Sequence, residues 1–423
     1  MLALFPPGAT LRGGVLEVDG IAATELAERF GTPLCVYSEP TLRARARLFT
    51  RTLPEAAFVY GTKAFPNVAV MRILADEGLG ADVSTLGELA FAQRAGLSGE
   101  RLLMHGNNKS DEELRAAAEA GALVVLDAPD EPARAAAAGV RRALVRVTPG
   151  VEAETHEAIR TGHRGSKFGL DPDDALEVVR AAREAGIEVE GLHVHVGSQL
   201  ADARAHLLAV ELLAEFSARC RDELGWTPAV VNVGGGFGVR HVLGEPAVDL
   251  GALAGGVAAA VAAAWEAHDL PAARIALEPG RALVGRAGVT LYRVRSVKRL
   301  DSVTWVAVDG GMSDNPRPQL YGARYTALSA TRADEPATET VSVAGLHCES
   351  GDVLIDDVAL PPTRVGDLLG VPATGAYTLA MSSNYNATPR PAAVLVRDGE
   401  ARLVRRRETV DDLLALEEPP LPG

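Results

Sequence analysis

The sequence predicts an α/β fold in which a (β/α)8 barrel of the TIM type is followed by an all-β domain. From about residue 58, eight short β-rich runs alternate with Ala-, Leu-, Glu- and Arg-rich segments that have helical spacing. Strands that alternate with helices imply parallel pairing and right-handed crossovers, and eight such units make a closed barrel. After Gly288 the chain is β-rich, with Gly, Pro and Asp turns and almost no helical period, which is typical of a separate β domain.

Each barrel unit begins with a run of apolar and small residues, as expected for a strand buried on both faces. The runs are FVYGTKA, GADVST, RLLMHG, ALVVLD, RALVRVTPG, VEGLHVHVGS, AVVNVGGG and RIALEPGR. Between them, helical spacing is clearest over Val68–Glu77, Leu86–Ala95, Asp111–Ala120, Asp174–Ala185 and Ala203–Glu223. An open doubly wound sheet is the competing fold. We prefer the barrel, because the glycine-rich GGGFG follows the seventh strand and no GxGxxG follows the first.

After the eighth unit the sequence changes from alternating strands and helices to β-rich, and this change sets the predicted domain limits. Residues 39–287 form the barrel and residues 288–423 form the β domain, with strands in VTLYRVRSVKRL, VTWVAVDGG, ETVSVAGLH, DVLIDDVAL and AAVLVRDGEARLVRR. Residues 1–38 contain two further strand-like runs, GGVLEVDG and TPLCVYS. We expect these N-terminal strands to pack on the β domain.

Composition narrows the class of protein. The 423 residues carry a formal net charge of −14 with a pI near 5.2, which argues against nucleic acid or an anionic membrane as partner. In the start, MLALFPPGATLRGG, no basic segment precedes an apolar run, so we expect no signal peptide. The apolar segments are interrupted by Gly or charge, so we expect no membrane span. Cys35, Cys220 and Cys348 are odd in number and widely spaced, which favours reduced thiols in a cytoplasm. The nine histidines form no metal-binding motif, so we expect no metal.

Chemically unusual residues fall at the carboxyl ends of the predicted barrel strands, where active sites of such barrels lie. One residue of this kind would carry little weight, but several at one end of a barrel form a constellation. They are Lys63 at strand one, Asp82 in strand two, His193, His195 and Ser198 at strand six, Gly234 to Gly236 at strand seven, and Glu278 to Arg281 at strand eight.

These residue types predict a cofactor site. A buried ammonium is costly unless it is paired, deprotonated or covalently used; Lys63 could also extend from the strand end into solvent, and its own stretch leaves both interpretations open. A dry lysine with a lowered pKa forms a Schiff base with an aldehyde, and glycine backbones suit a phosphate. With His195 stacked on a flat ring and Glu278 holding a proton on a ring nitrogen, the set describes a pyridoxal 5'-phosphate site.

Each of these residues also has a structural interpretation. A glycine triplet after a strand is commonly only a turn, and Glu278 could form an ion pair with a nearby arginine. We expect one of the two histidines to face out of the barrel wall, and predict that His193 is structural and His195 functional. The joint placement favours the functional interpretation.

Seven motifs occur in one order along the chain: VYGTKAFPNVAVMRILADEGLGADVSTLGEL, GLHVHVGSQ, VNVGGGFGV, LEPGRALVG, VDGGMSDNPRPQLYGARY, HCESGDVL and GAYTLAMSSNYNATPRP. From about Thr32 to Glu417 they make the chain resemble the diaminopimelate decarboxylases, pyridoxal-phosphate enzymes of the alanine racemase-like fold. The resemblance implies a barrel followed by a β domain, in a head-to-tail homodimer with shared active sites. One departure is Phe65, where the family usually has Asn.

The resemblance also implies roles for individual residues. Lys63 would bind the cofactor covalently, His195 would stack on its ring, and Glu278 would pair with its pyridine nitrogen. Cys348 would donate a proton to the reacting carbon, although a lone cysteine is ordinarily a small buried core residue. The phosphate would be held by Ser198, Gly235, Gly236, Gly280 and Arg281, with Asp82 and Tyr377 as further cofactor contacts; Arg281, Arg317, Tyr321, Glu349 and Tyr377 would bind substrate, and Cys348 and Glu349 would come from the partner subunit.

The implied reaction is the decarboxylation of meso-2,6-diaminopimelate to L-lysine and CO2, the last reaction of lysine biosynthesis. Two arginines and Glu349 suit the distal carboxylate and ammonium of that substrate. A decarboxylase of ornithine, lysine or arginine is one alternative, but it would leave Arg317 without a carboxylate. A non-catalytic homologue that binds the cofactor is the other, and the retention of Lys63, Cys348 and Glu349 argues against it.

Overall fold

The computed structural model describes residues 1–148 and 166–417. Contacts divide the chain into two compact units, which we call the barrel unit and the β unit. The predicted domain limits, 1–38, 39–287 and 288–423, stay a prediction, because compactness alone does not show which segments fold independently. The barrel unit comprises Arg43–Val239 and Ala247–Leu283; the β unit comprises Met1–Leu42, Arg240–Pro246 and Val284–Gly423.

The N-terminal elements begin the β unit. The first three strands form a small antiparallel sheet, and the fourth is buried at all five positions. These elements are β1 (Ala9–Arg12), β2 (Val15–Val18), β3 (Ile21–Ala22), α1 (Ala23–Phe30) and β4 (Leu34–Ser38). Helix α2 (Glu39–Thr52) follows and belongs to the barrel unit from Arg43 onward.

Eight parallel strands close into a barrel, which confirms the predicted fold class. They are β5 (Ala57–Gly61), β6 (Gly80–Val83), β7 (Leu102–Met104), β8 (Leu123–Leu126), β9 (Arg142–Arg146), β10 (Glu188–His193), β11 (Val230–Asn232) and β12 (Arg274–Leu277). Each strand pairs with its neighbour in sequence, and β12 closes the barrel by pairing with β5. Each of the eight runs chosen from the sequence overlaps one of these strands, and each strand ends earlier than its run.

Helices follow the strands, and several begin at side-chain caps. The Asn67 side chain accepts the N–H groups of Ala69 and Val70, while Ser110 and Glu113 form a capping box. Such caps satisfy N–H groups that a helix leaves without partners. The helices are α3 (Val68–Asp76), α4 (Leu86–Arg94), α5 (Asp111–Glu119), α6 (Glu131–Ala137), α7 (Pro172–Glu184), α8 (Arg204–Leu224), α9 (Leu250–Ala267) and α10 (Arg281–Val284).

Helix α9 is long and apolar enough to cross a membrane, judged by length and composition, and no other helix in the described ranges is. The sequence led us to expect no such segment. The expectation and the structure differ because α9 is rich in alanine. Its glycines do not bring the mean hydropathy of the helix below the value typical of a membrane span. The helix packs against α8 and buries Leu253, Val257, Val261 and Trp265. A core helix passes the same test, so this is weak evidence for a span.

The β unit is built on one large sheet with the strand order β17-β16-β14-β13-β4-β19-β20. Strand β4 lies between β13 and β19, so the N-terminal segment is part of this sheet. Two strands, β15 and β18, were not predicted. They pair with each other, and β18 also pairs with β13. The remaining elements are β13 (Gly288–Arg299), β14 (Thr304–Val308), α11 (Arg317–Tyr321), β15 (Leu328–Ser329), β16 (Glu339–Ala344), β17 (Val353–Leu360), β18 (Leu368–Pro372), β19 (Ala392–Arg397), β20 (Glu400–Arg405) and α12 (Val410–Leu414).

Candidate active site

Lys63 lies just beyond the first barrel strand. Strand β5 ends at Gly61, and Thr62–Ala64 form a 3-10 turn. The Thr62 hydroxyl donates to the Asp82 carbonyl at 2.7 Å, which anchors this turn to β6. Lys63 is exposed there. The stretch itself left a buried and a solvent-exposed lysine open, and the structure has the exposed one, because the ladder ends two residues before Lys63.

Glu278 follows β12 and is the centre of a buried polar cluster. His105 Nε2 lies 2.7 Å from Glu278 Oε1, and Asn232 Nδ2 donates to the same oxygen at 2.8 Å. His193 Nε2 lies 3.3 Å from Oε2. All four residues are buried, and they come from the carboxyl ends of β12, β7, β11 and β10. Because a carboxylate has about four lone-pair positions, Oε2 can accept one more hydrogen bond.

The two histidines decide the charge of this cluster. Burial by itself raises the pKa of Glu278, but His105 and His193 outweigh it and hold that pKa well below its usual value. Burial lowers the pKa of His105, yet Glu278 and Asp82 bring it above the usual value. Burial lowers the pKa of His193 to about 4 and raises the pKa of Asp82. The cluster therefore holds Glu278 ionised and His193 neutral at neutral pH, and it favours the protonated form of His105 more than water does.

That His193 is structural and His195 functional stays a prediction, but the argument from strand alternation does not hold. Strand β10 ends at His193, so the alternation of a strand does not extend to His195, and the argument that one ring must face outward fails. His193 contacts Glu278 directly, whereas His195 lies against the glycine turn that follows β11.

Gly234, Gly235 and Gly236 form a tight turn after β11. Gly234 and Gly236 have φ values of +71° and +94°, a region that favours glycine. A Cβ added to Gly235 would lie 2.3 Å from the Glu278 carbonyl oxygen, so only glycine fits. The turn is therefore held against the segment that carries Glu278.

Two imidazoles hydrogen-bond to the backbone of Gly235, one to its N–H and one to its carbonyl. The Gly235 N–H donates to His195 Nδ1 at 3.2 Å, and His206 Nε2 donates to the Gly235 carbonyl at 2.9 Å. His206 stacks on Phe237, with ring centroids 5.4 Å apart. Burial, with the positive charge of Lys63 as a second cause, holds the pKa of His195 well below its usual value. His195 is therefore a neutral ring.

Arg281 begins helix α10, and its Nη2 donates to Ser198 Oγ at 3.2 Å. Gly280 precedes it and lies close to Gly61 at the end of β5, because a Cβ on Gly61 would be 3.4 Å from Gly280 Cα. The ends of strands one, six and eight thus bring Ser198, Gly280 and Arg281 together.

Arg317 and Tyr321 lie at the two ends of α11 in the β unit. Arg317 is 6% exposed and Tyr321 is 64% exposed. Arg317 Nη1 donates to the Tyr325 hydroxyl at 2.6 Å and lies 3.1 Å from His241 Nε2. Arg317 is therefore not an ordinary surface arginine.

The other predicted residues of the β unit lie in loops. Cys348 is an exposed free thiol, so it is not a small core residue. Glu349 is exposed and accepts a hydrogen bond from the Tyr385 hydroxyl. Tyr377 is half-buried and has φ +59°, a conformation that is costly for a tyrosine and is often found at functional sites.

Sequence reasoning missed His105, Asn232, His206 and His241. His105 directly follows β7, and Asn232 is the last residue of β11. The rule that active sites lie at the carboxyl ends of barrel strands could have found both. His206 lies in a helix and His241 in a loop, and their contacts have no local sequence signal.

One group of side chains in the described ranges has metal-ligand chemistry. The ligand atoms of His105, His193 and Glu278 lie within 4.8 Å of one another. A metal ligand must be a neutral imidazole, whereas the carboxylates of Glu278 and Asp82 favour the protonated form of His105. This argues for an ion pair over a metal centre.

The barrel residues fit pyridoxal 5'-phosphate. Glu278 is ionised and has room for one more donor, which suits a protonated ring nitrogen. The glycine turn and Arg281 could offer N–H groups to a phosphate, and Lys63 could offer an amine to the aldehyde. Residues 39–285 match the family model described as pyridoxal-dependent decarboxylase, pyridoxal binding domain. Fold and site thus define a pyridoxal-phosphate decarboxylase of the barrel class.

Curated relatives narrow this class. The diaminopimelate decarboxylase of Actinosynnema pretiosum subsp. auranticum is 49% identical, over 98% of this chain and 95% of that protein. The enzyme of the same name from Bacillus subtilis (strain 168) is 42% identical over 96% of both chains. The crystal structure of diaminopimelate decarboxylase from M. jannaschii superposes with a TM-score of 0.92 at 32% identity, covering 98% of this chain and 99% of that one. The chain belongs to the diaminopimelate decarboxylase family.

Proposed function

We propose that this protein decarboxylates meso-2,6-diaminopimelate to L-lysine and CO2 with pyridoxal 5'-phosphate as cofactor, in the cytoplasm. The observation that carries the reaction type is the ionised carboxylate of Glu278, which His105, His193 and Asn232 hold in a buried site. Membership of the family supports the substrate.

In this proposal the barrel residues hold the cofactor. Lys63 would hold it through its aldehyde until the substrate amine takes that place, and His195 would lie against its ring. The phosphate is bound by Ser198, Gly235, Gly236, Gly280 and Arg281, with Asp82 and Tyr377 as further contacts.

The chemistry divides between the cofactor and the chain. When bound, the cofactor draws electrons from the bond to the leaving carboxylate. Glu278 keeps a proton on the ring nitrogen, because its carboxylate is ionised at neutral pH. When CO2 has left, Cys348 would donate a proton to the carbon that carried the carboxylate.

A substrate panel tests this function. CO2 release is measured with meso-diaminopimelate, L-lysine, L-ornithine and L-arginine, each with added cofactor. We expect the highest kcat/KM with diaminopimelate. Preference for another substrate would assign the chain to that decarboxylase, and no release from any substrate would favour a non-catalytic homologue.

Substrate choice in this proposal depends on Arg317, with Arg281, Tyr321, Glu349 and Tyr377 as further substrate contacts. A guanidinium binds a carboxylate with two parallel hydrogen bonds, and Glu349 suits the distal ammonium. Arg317 is buried and bonded only to uncharged partners among the described residues. A distal carboxylate would supply its counter-charge.

Replacing Arg317 by lysine is expected to lower kcat/KM for diaminopimelate by roughly tenfold or more, because a charge-assisted hydrogen bond of about 1.5–3 kcal/mol is lost while the charge stays. Decarboxylation of L-lysine as a substrate, if measurable, should change little, because that substrate lacks a distal carboxylate. Steady-state kinetics on both substrates checks this.

Arg324→Lys is the matched control, since Arg324 is exposed just beyond the same helix and should tolerate the change. Equal kinetics for Arg317→Lys and the parent protein would remove the support for a distal-carboxylate contact and favour a simpler amino-acid decarboxylase.

We also propose a homodimer in which Cys348 and Glu349 of the partner subunit complete each active site. Both residues are exposed in the chain, so both are available to a second subunit. The family resemblance supports this arrangement.

Mixing Lys63→Ala and Cys348→Ala chains is expected to restore activity that neither variant has alone. Random exchange between subunits makes half of the dimers hybrid, each with one intact site, so about a quarter of the parental activity should return. Activity is measured after subunit exchange, which is followed by mass spectrometry of differently labelled chains. Full exchange without recovery would mean that each site is built within one chain.

A further inference from the structure

Arg317, His241 and Tyr325 form a buried cluster inside the β unit. They are 6%, 4% and 5% exposed, respectively. Arg317 Nη1 contacts both neighbours, the Tyr325 hydroxyl at 2.6 Å and His241 Nε2 at 3.1 Å. The His241 and Tyr325 rings meet edge to face, with centroids 5.3 Å apart, so each ring limits the movement of the other.

The hydrogen-bond roles in this cluster follow from chemistry. A guanidinium has five donors and no acceptor, so His241 Nε2 must accept, and the proton of the neutral ring is on Nδ1. The backbone N–H of His241 donates to Glu245 Oε2 at 2.6 Å, which holds the loop that carries the imidazole. The Glu245 carboxylate lies 3.9 Å from Nδ1, on the side where the proton is.

The contacts leave one edge of the guanidinium for a ligand. Both hydrogen bonds are made by Nη1, which has two protons. Arg317 Nε is buried and has no partner among residues 1–148 and 166–417. A buried cation that faces only uncharged groups is costly, and a carboxylate bound by Nε and Nη2 together would remove that cost.

We propose that His241, together with Tyr325, is a positioning residue that turns the Nε–Nη2 edge of Arg317 toward the distal carboxylate of the substrate. This rests on the proposed function, because it takes the Arg317 ligand to be that carboxylate. By accepting both protons of Nη1, the two residues fix the plane of the guanidinium, which otherwise turns about the Cδ–Nε bond, and with it the side-chain rotamer. The carboxylate then meets a fork that is already oriented.

His241→Phe tests the proposal, because it keeps an aromatic ring and removes the acceptor. We expect KM for diaminopimelate to rise about three- to tenfold with kcat nearly unchanged. This is less than the loss of a direct charge-assisted hydrogen bond to the substrate, because Arg317 itself stays in place. His241→Gln supplies an amide oxygen in place of Nε2 and should restore KM to within about twofold of the parent value.

Two inhibitors separate positioning from general damage. L-lysine, the reaction product, retains the distal carboxylate of diaminopimelate. Cadaverine has the same carbon chain and both amines but no carboxylate. For His241→Phe, the Ki of L-lysine should rise with KM, and the Ki of cadaverine should stay unchanged. Calorimetric binding of both amines to the loaded enzyme gives the same comparison without turnover.

The inference fails if KM stays at the parent value, if both inhibitors weaken equally, or if His241→Gln is as impaired as His241→Phe. Should His241→Phe fold poorly, Tyr325→Phe removes the other acceptor and must give the same split between L-lysine and cadaverine. If the parent protein does not decarboxylate diaminopimelate, the proposed function itself fails, which the substrate panel shows before any variant is made.

Discussion

Lys63→Ala should abolish the near-visible absorption band of the lysine-bound cofactor after dialysis and lower kcat by a factor on the order of a thousand or more, because a covalent attachment has no substitute. The chain has only four lysines, Lys63, Lys109, Lys167 and Lys298. Borohydride reduction followed by peptide mapping therefore has four possible outcomes. We expect the reduced cofactor on the peptide that contains Lys63.

Lys298→Ala is the control, because Lys298 is an exposed residue of β13 and should keep both band and activity. Lys109 is a poor candidate, since its ammonium is buried and 2.9 Å from Glu131. Reduced cofactor on any of the other three lysines would refute the assignment.

Glu278→Gln is expected to lower kcat by about a hundred- to a thousandfold, the usual effect of removing a preorganised electrostatic group. The amide has no negative charge to hold a proton on the ring nitrogen. Because the pKa of Glu278 is held well below its usual value, the carboxylate is ionised throughout the neutral range, and the loss should be the same from pH 6 to pH 9. Initial rates across that range, with cofactor absorbance as proof of binding, check this.

Glu131→Gln is the matched control. Glu131 is also a buried barrel carboxylate, bonded to Lys109, but it has no proposed role in the reaction. It should lower the melting temperature and leave kcat unchanged. A kcat for Glu278→Gln within about twofold of the parent would make Glu278 a structural group.

The barrel could be predicted because its signals are local. Alternation of apolar runs with helical spacing involves residues a few positions apart, and eight runs gave eight strands in the predicted order. Strand ends were less predictable. The run FVYGTKA continues to Ala64, but β5 ends at Gly61, because pairing with the neighbouring strands, and not apolarity, decides where a ladder stops.

The conformation of Gly235 shows the same division. The sequence indicated a turn that could bind phosphate, and the glycines alone suffice for that. That a Cβ at Gly235 would meet the Glu278 carbonyl follows only from the adjacency of β11 and β12, and the bond from His206 follows only from the packing of α8.

The sequence by itself determined the order of the helices and strands, the types of functional side chain at the ends of the barrel strands, and the family. These depend on residue types and on short spacings along the chain. The tertiary structure alone decided the charges and burial within the site. His105 and Glu278 are 173 residues apart in the chain and 2.7 Å apart in space, and that contact raises one pKa and lowers the other. The sequence likewise does not tell whether Arg317 is exposed or buried. The fold decides this by placing His241 and Tyr325 beside it. The physical reason is that desolvation and Coulomb energies depend on distance in space, and distance along the chain does not report it.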